Sequence, residues 1–218
     1  LLYLCDNDLA PQNPGLPVVR SFHLSDGSPA ATYTFPGGGF CNDLAFDGQR
    51  NLYVADSAGK VLRLAKGQST LAAWSSAPGL APSSPQGYGA DGIAWDGQSG
   101  LYVNTFSDAR LLRIAMNADG SAGAATQLTV TPALNSPDGM RLLEDGSLLV
   151  AEGVGRLSRV TVNGNAGSAT VIQDQLNGPT SVVKYENQAW VSEGQLGHLF
   201  GQIAGPPSPF QVRRVTLP

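Results

Sequence analysis

Five side chains with hard oxygen donors recur at one position of a repeated pattern: Asn42, Asp43, Asp91, Asp138 and Thr180. Each stands at the start of a short apolar run. A second set, Asp6, Asp56, Asn104, Thr105, Glu152 and Glu193, stands at the end of the following run. No cationic side chain is evident among them. Carboxylates gathered in one place are costly unless a cation neutralises them or their pKa values rise. Oxygen donors of this kind suit Ca²⁺ or Mg²⁺, and a positioned carboxylate can also take a proton. A divalent cation, Ca²⁺ before Mg²⁺, Mn²⁺ or Zn²⁺, is therefore an expected cofactor, the alternative being carboxyl groups with raised pKa values. His23 and His198 are far apart in sequence, which does not support a histidine-rich zinc site. His198 follows a strand on the same face and reads as a turn residue rather than a base. Asp and Asn at strand ends also cap turns. Recurrence at one register sets Asp138 and Asn42 apart from Asp6, Asp56 and Glu193, for which capping is the plainer reading.

The elements that must position these residues come from the repeat. Apolar runs begin near Phe40, Gly89, Ser136 and Gly178 and are followed by second runs at 52–56, 101–105, 148–152 and 189–193. Third runs, at 60–64, 110–114, 156–160 and 211–215, alternate and carry Arg63, Arg113 and Arg159 at one position. Those arginines are expected at the rim, lying over a neighbouring unit. Asp-Gly at 47–48, 96–97 and 145–146 marks a hairpin between the first and second runs. The period is about 40 to 50 residues, which is the range of a propeller blade. The fold expected is all-β, a six-bladed propeller of four-stranded blades. The chain carries about eighteen strands in five units, roughly 1–39 (partial), 40–87, 88–134, 135–176 and 177–218 (partial), within one domain, 1–218. Leu2–Asp6 matches the second strand of a unit, so the reading places the natural N-terminus, with any targeting peptide, upstream of Leu1. First and second strands are antiparallel, so the start of one and the end of the other share a face. The oxygen donors would then ring the mouth of the central channel. Two long loops, 77–85 and 205–209, are placed to edge that face.

Composition narrows the function. The 218 residues are 42% hydrophobic and 14% charged, with 27 Gly and 15 Pro, as many short strands and turns require. A net charge of −4 without a basic cluster argues against nucleic acid. No apolar run approaches the ~18 residues of a membrane span. A monomer acting on a small molecule is the expectation, and a secreted or periplasmic location suits it. Cys5 and Cys41 either pair or serve as small buried residues. There is no Gly-x-Ser-x-Gly elbow, phosphate loop or dinucleotide fingerprint.

At Asn42-Asp43-Leu44-Ala45-Phe46-Asp47, Asp91-Gly92-Ile93-Ala94-Trp95 and Pro137-Asp138-Gly139-Met140 the chain resembles the gluconolactonase and regucalcin (senescence marker protein) family, over roughly residues 40 to 200. It resembles the strictosidine synthase and paraoxonase propellers more distantly. The resemblance implies a six-bladed propeller with one divalent metal in its channel, held by a Glu of the first blade, an Asn of an Asn-Gly pair and the Asp of Pro-Asp-Gly. Carried over by position, Asp138 is the metal Asp, Asp91 replaces the metal Asn, and Asn42 is the Asn that contacts substrate and sometimes metal. The Glu would lie outside this chain. Where the sugar lactonases have Arg, Phe40 stands, which implies a less polar substrate. The implied activity is metal-dependent hydrolysis of a lactone or ester. Asp138 and Glu152 are its catalytic candidates, Asn42, Phe40 and Asn104 its substrate contacts, and Asp138, Asp91 and Asn42 its metal ligands. The alternatives are a non-catalytic binding propeller and a strictosidine-synthase-like enzyme, which would need Glu152 or Glu193 as base.

Overall fold

The structure, a computed structural model, describes residues 1–7 and 15–218. Eighteen strands are present among them, in five successive antiparallel units. The first unit holds β1 (Leu2–Asp6), β2 (Val18–Phe22) and β3 (Pro29–Thr34). The second holds β4 (Cys41–Phe46), β5 (Leu52–Asp56), β6 (Lys60–Leu64) and β7 (Ala72–Ser75). The third holds β8 (Ala90–Trp95), β9 (Gly100–Thr105), β10 (Leu111–Met116) and β11 (Ala122–Thr131). The fourth holds β12 (Pro137–Leu142), β13 (Leu148–Glu152), β14 (Arg156–Asn163) and β15 (Ala166–Gln173), and the fifth β16 (Pro179–Tyr185), β17 (Gln188–Glu193) and β18 (Gln211–Thr216). The outer strands β11 and β15 also pair in parallel over a few residues, which joins the third and fourth units into one sheet.

Packing explains why the second strands are uniformly apolar. β5, β9 and β13 are buried along their whole lengths, as strands covered on both faces must be. Each hydrophobic core lies between two neighbouring units. Val19 and Phe35 of the first unit pack with Leu52, Val54 and Leu62 of the second. Tyr53 and Val61 pack with Ile93, Val103 and Ile114. Tyr102 and Leu111 pack with Met140, Val150 and Val160, and Leu149 and Leu157 with Val182, Val191 and Val215. The units therefore follow one another face to face. Their inner edges β1, β4, β8, β12 and β16 are neighbours in that order.

The first unit is tied to the second covalently. Cys5 of β1 and Cys41 of β4 form a disulfide. Asn7 clamps the same point, donating from Nδ2 to the Cys41 carbonyl at 2.8 Å and accepting the Cys41 N–H at 2.9 Å. The third-strand arginines only partly follow expectation. Arg113 and Arg159 turn back to Asp96 and Asp145, the aspartates of their own Asp-Gly turns. Only Arg63 crosses over, to the Gly120 carbonyl of the next unit, with its guanidinium 5.8 Å from the Tyr53 ring centre. A strand-three residue lies beside the hairpin of its own sheet, and the nearest carboxylate is there.

Candidate functional site

Four of the five inner strands break register where the oxygen donors sit. In β4, Cys41 pairs with Asp56 and Leu44 with Val54, so Asn42 and Asp43 share one opposing residue. β8 does the same at Asp91 and Gly92, and β12 at Asp138 and Gly139. β16 has one extra residue at Thr180. A bulge lets a strand aim a side chain out of the alternating pleat. Here four bulges bring Asn42, Asp91, Asp138 and Thr180 to the edge of one cavity of about 330 Å³. Glycine follows Asp91 and Asp138 because the inner strands approach closely. A Cβ on Gly92 would stand 2.3 Å from the Asp138 carbonyl oxygen, and one on Gly139 would stand 2.8 Å from the Thr180 carbonyl oxygen.

The three principal donors come from three units and are linked. Asn42 Nδ2 donates to Asp91 Oδ2 at 2.9 Å and to Ser57 Oγ at 3.2 Å. That commits the amide nitrogen and leaves Oδ1 as the atom available to a ligand. Burial, reinforced by the neighbouring Asp138 carboxyl, pushes the Asp91 carboxyl well above the usual carboxylate range, against the pull of the Asn42 amide. Burial also raises Asp138, to about 7, although the Asp91 carboxyl and the Gly139 N–H both stabilise its charged form. Burial thus disfavours the charged form of both carboxyl groups, and each charge opposes the other. Asp91 Oδ1 is buried and has no hydrogen-bond partner.

That donor set fits a small hard cation. Two carboxylates and an amide oxygen are the right chemistry, and an unpartnered buried carboxylate oxygen is an acceptor with nothing to accept. The protein supplies part of a coordination shell only. Among the described residues no three His, Cys, Asp or Glu side chains converge on one point.

Other residues of the expected ring do different work. Asp43 is held by a cation after all, because Arg141 reaches it with Nη1 at 2.7 Å and Nη2 at 3.1 Å. The pairing spans 98 residues, and only the ring order reveals it. Asn104 is fully buried away from the cavity. It accepts the Gly92 N–H at 2.9 Å and donates to the Asp138 carbonyl at 2.7 Å, so Asn104, expected as a substrate contact, ties the two bulges together and is not among the residues lining the cavity. Glu152 is 1% exposed and does not line the cavity. Its carboxylate accepts the Asn135 N–H, the Ser158 hydroxyl and the Arg156 guanidinium. Asp56 takes the Phe40 N–H and Glu193 the Asn177 N–H in the same manner. The acid ending each of these second strands thus latches the loop entering its own blade, and Glu152, expected as a catalytic residue, is placed in that latch. His198 lies in the short helix α1 (Leu196–Leu199) with Nδ1 buried and unpartnered, and it does not line the cavity.

Sequence reading missed most of the upper wall. Phe40 was expected there. Tyr88, Phe106 and Phe200, with Leu196 and Leu199, complete it. The signal was faint: lone aromatics in or beside the two long loops. A larger hollow of about 580 Å³ beside Tyr33, Phe46 and Lys66 contains no carboxylate, so size does not select it.

Neither a family model nor a curated protein matches the sequence. Solved structures do. Luciferin-regenerating enzyme superimposes with a TM-score of 0.64 at 18% identity, covering 99% of this chain and 78% of that one. A gluconolactonase from Xanthomonas campestris gives 0.61 at 14%, covering 83% and 62%. Virginiamycin B lyase from Staphylococcus aureus gives 0.59 at 16%, covering 80% and 55%. The fold is a β-propeller. The likeness to gluconolactonase structures is one of architecture, and the chain spans little more than half the length of the lyase. Propellers of this shape carry different chemistries in the three neighbours, so function must be argued from the site.

Proposed function

We propose that the chain is a divalent-metal-dependent hydrolase of a lactone or ester, working at the channel mouth of a single six-bladed propeller domain. One observation carries the reading. The buried carboxyl groups of Asp91 and Asp138 line one open cavity with Asn42, and one carboxylate oxygen there has no partner. Asp138, Asp91 and Asn42 Oδ1 would hold the cation, with Ca²⁺ the best match to an all-oxygen set. When bound, it would supply Lewis-acid polarisation of the substrate carbonyl.

The chain's own residues do the rest. Asp138, once ionised, takes a proton from the attacking water as its oxygen adds to the carbonyl carbon. The tetrahedral adduct then expels the alkoxide, and the protonated Asp138 returns the proton to it. Acid and alcohol leave, and the carboxylate is restored. Asn42 is fixed by Ser57 and Asp91, so its oxygen is held in place. Phe40 packs against the part of the substrate away from the carbonyl. Glu152 has no part in this scheme, and neither it nor Glu193 lines the cavity, which removes support for a strictosidine-synthase-like base. The Cys5–Cys41 bond suits an oxidising compartment.

The test combines calorimetric Ca²⁺ titration with ester and lactone hydrolysis, with and without EDTA, for the wild type and Asp138→Ala. Binding and turnover that are both lost in the variant support the reading. Equal turnover by both proteins, unaffected by EDTA, would falsify it. Ca²⁺ binding without turnover of any ester or lactone would favour the non-catalytic binding propeller.

A further inference from the structure

The cavity has a polar floor and an apolar wall. Above Asn42, Asp91 and Asp138 stand four aromatic rings from four separate stretches of chain. Tyr88 is their hub. Its ring centre lies 5.9 Å from Phe40, 6.3 Å from Phe106 and 6.0 Å from Phe200, and Phe106 and Phe200 are 5.8 Å apart. These are the offset and edge-on spacings that aromatic groups prefer. The rings are held from behind. The Tyr88 N–H donates to Ser107 Oγ at 2.8 Å. The segment carrying Phe200 is clipped by Gln195, whose amide donates to the Ser208 carbonyl at 2.7 Å and accepts the Ser208 N–H at 2.8 Å. Among the described residues no Lys, Arg or His lines the cavity.

We propose that this pocket takes a neutral substrate whose aromatic or compact alkyl group packs among Phe40, Tyr88, Phe106 and Phe200 while its ester or lactone carbonyl meets the carboxylate floor. The carbonyl half of that statement rests on the hydrolase reading above; the preference of the wall for a neutral apolar group stands without it. Three exclusions support the class. An anionic substrate would find no countercharge among the described lining residues and would lie beside Asp91 and Asp138. A sugar lactone would turn its hydroxyls onto ring faces that cannot satisfy them, and a hydrogen bond lost to water and not remade is costly. At about 330 Å³ the cavity is at the small end of ligand sites, which suits a group about the size of a bicyclic ring.

The experiment measures equilibrium binding in EDTA by ligand-observed NMR, with three non-hydrolysable probes of one size: 2-acetonaphthone (neutral), 2-naphthoate (anionic) and 2-naphthylmethyl-trimethylammonium (cationic). The neutral ketone is expected to bind at least ten-fold tighter than either charged probe. Phe106→Ala and Phe200→Ala should weaken it at least five-fold, and Phe106→Leu and Phe200→Leu, which keep more of the volume, serve if the alanine variants do not fold. Naphthoate binding as tightly as the ketone overturns the proposal. So does a cationic probe that binds tightest, since aromatic faces also attract ammonium groups, or variants that bind the ketone unchanged. Hydrolysis is then compared for 2-naphthyl acetate and D-glucono-1,5-lactone with Ca²⁺ present. Tight ketone binding with neither substrate turned over overturns the hydrolase reading alone. Faster turnover of the sugar lactone, with weak ketone binding, overturns the substrate class alone.

Discussion

Asp91 and Asp138 are the two residues whose environment departs furthest from what water would give them. Burial raises both, and Asp138 is pushed up to about 7. The sign of the consequence follows. A carboxyl whose folded pKa exceeds its unfolded value binds more protons folded than unfolded at intermediate pH. Its stabilisation is complete below about pH 4 and is lost as pH rises through about 7. At ~1.4 kcal/mol per pKa unit, the cation-free protein should lose on the order of a few kcal/mol between pH 4 and 8. Urea denaturation in EDTA at several pH values reads this directly, and Asp91→Asn should remove most of the drop. A wild type equally stable at both ends would show that the pair carries no such strain. Glu152 supplies the contrast. It is as deeply buried as Asp91, but its oxygens are met by Arg156, Ser158 and the Asn135 N–H. Glu152→Gln should therefore cost about 1.5–3 kcal/mol of stability, the worth of charge-assisted bonds, while kcat stays within about three-fold. A hundred-fold loss of kcat at unchanged stability would return Glu152 to the active site.

At the scale of the strand, the site depends on four bulges. A regular β8 or β12 would send Asp91 or Asp138 along the pleat, and the glycine after each lets the neighbouring inner strand come close enough to gather the donors. Gly139→Ala should cost roughly 1–3 kcal/mol through overpacking against Thr180 and Ser181. It should also weaken Ca²⁺ affinity by at least ten-fold, as Asp138 is displaced with its strand. Thermal unfolding and calorimetry on one preparation check both, and an alanine tolerated with full affinity would mean that the bulges do not set the site. Strand positions were legible because burial on both faces writes a continuous apolar run, and Asp-Gly writes the hairpin. Asp96 and Asp145 also accept turn N–H groups at 2.8 to 3.1 Å, which explains why that residue type recurs. The bulges were not legible, because an extra residue leaves no mark in composition. Nor was the aromatic wall, since Tyr88 and Phe200 are 112 positions apart and meet only when the ring forms. The end-of-strand acids misled for the opposite reason: Glu152 shares the register of a functional rim, but capping the entry loop demands the same residue type.

At the scale of the whole molecule, the propeller turns a local donor set into a tie between blades. Asn42 belongs to the second unit, Asp91 to the third and Asp138 to the fourth. The cores between those units are hydrophobic and complete, but their inner edges meet at carboxylates that oppose one another. A cation held there would replace that opposition with bonds across three blades, so its binding should appear as global stability. Linkage sets the size: at a hundred times Kd, a ligand that binds only the folded state contributes about 2.7 kcal/mol. For a chain of this length that is a rise in Tm of roughly 5–10 °C. The rise should be larger at pH 8 than at pH 5, because burial raises both carboxyl groups and at the lower pH the cation must compete with their protonation. EDTA should reverse it, and Asp138→Ala should abolish it. A Tm that rises equally in the variant would place the cation elsewhere on the ring, and a rise larger at pH 5 than at pH 8 would separate the cation from the aspartate pair.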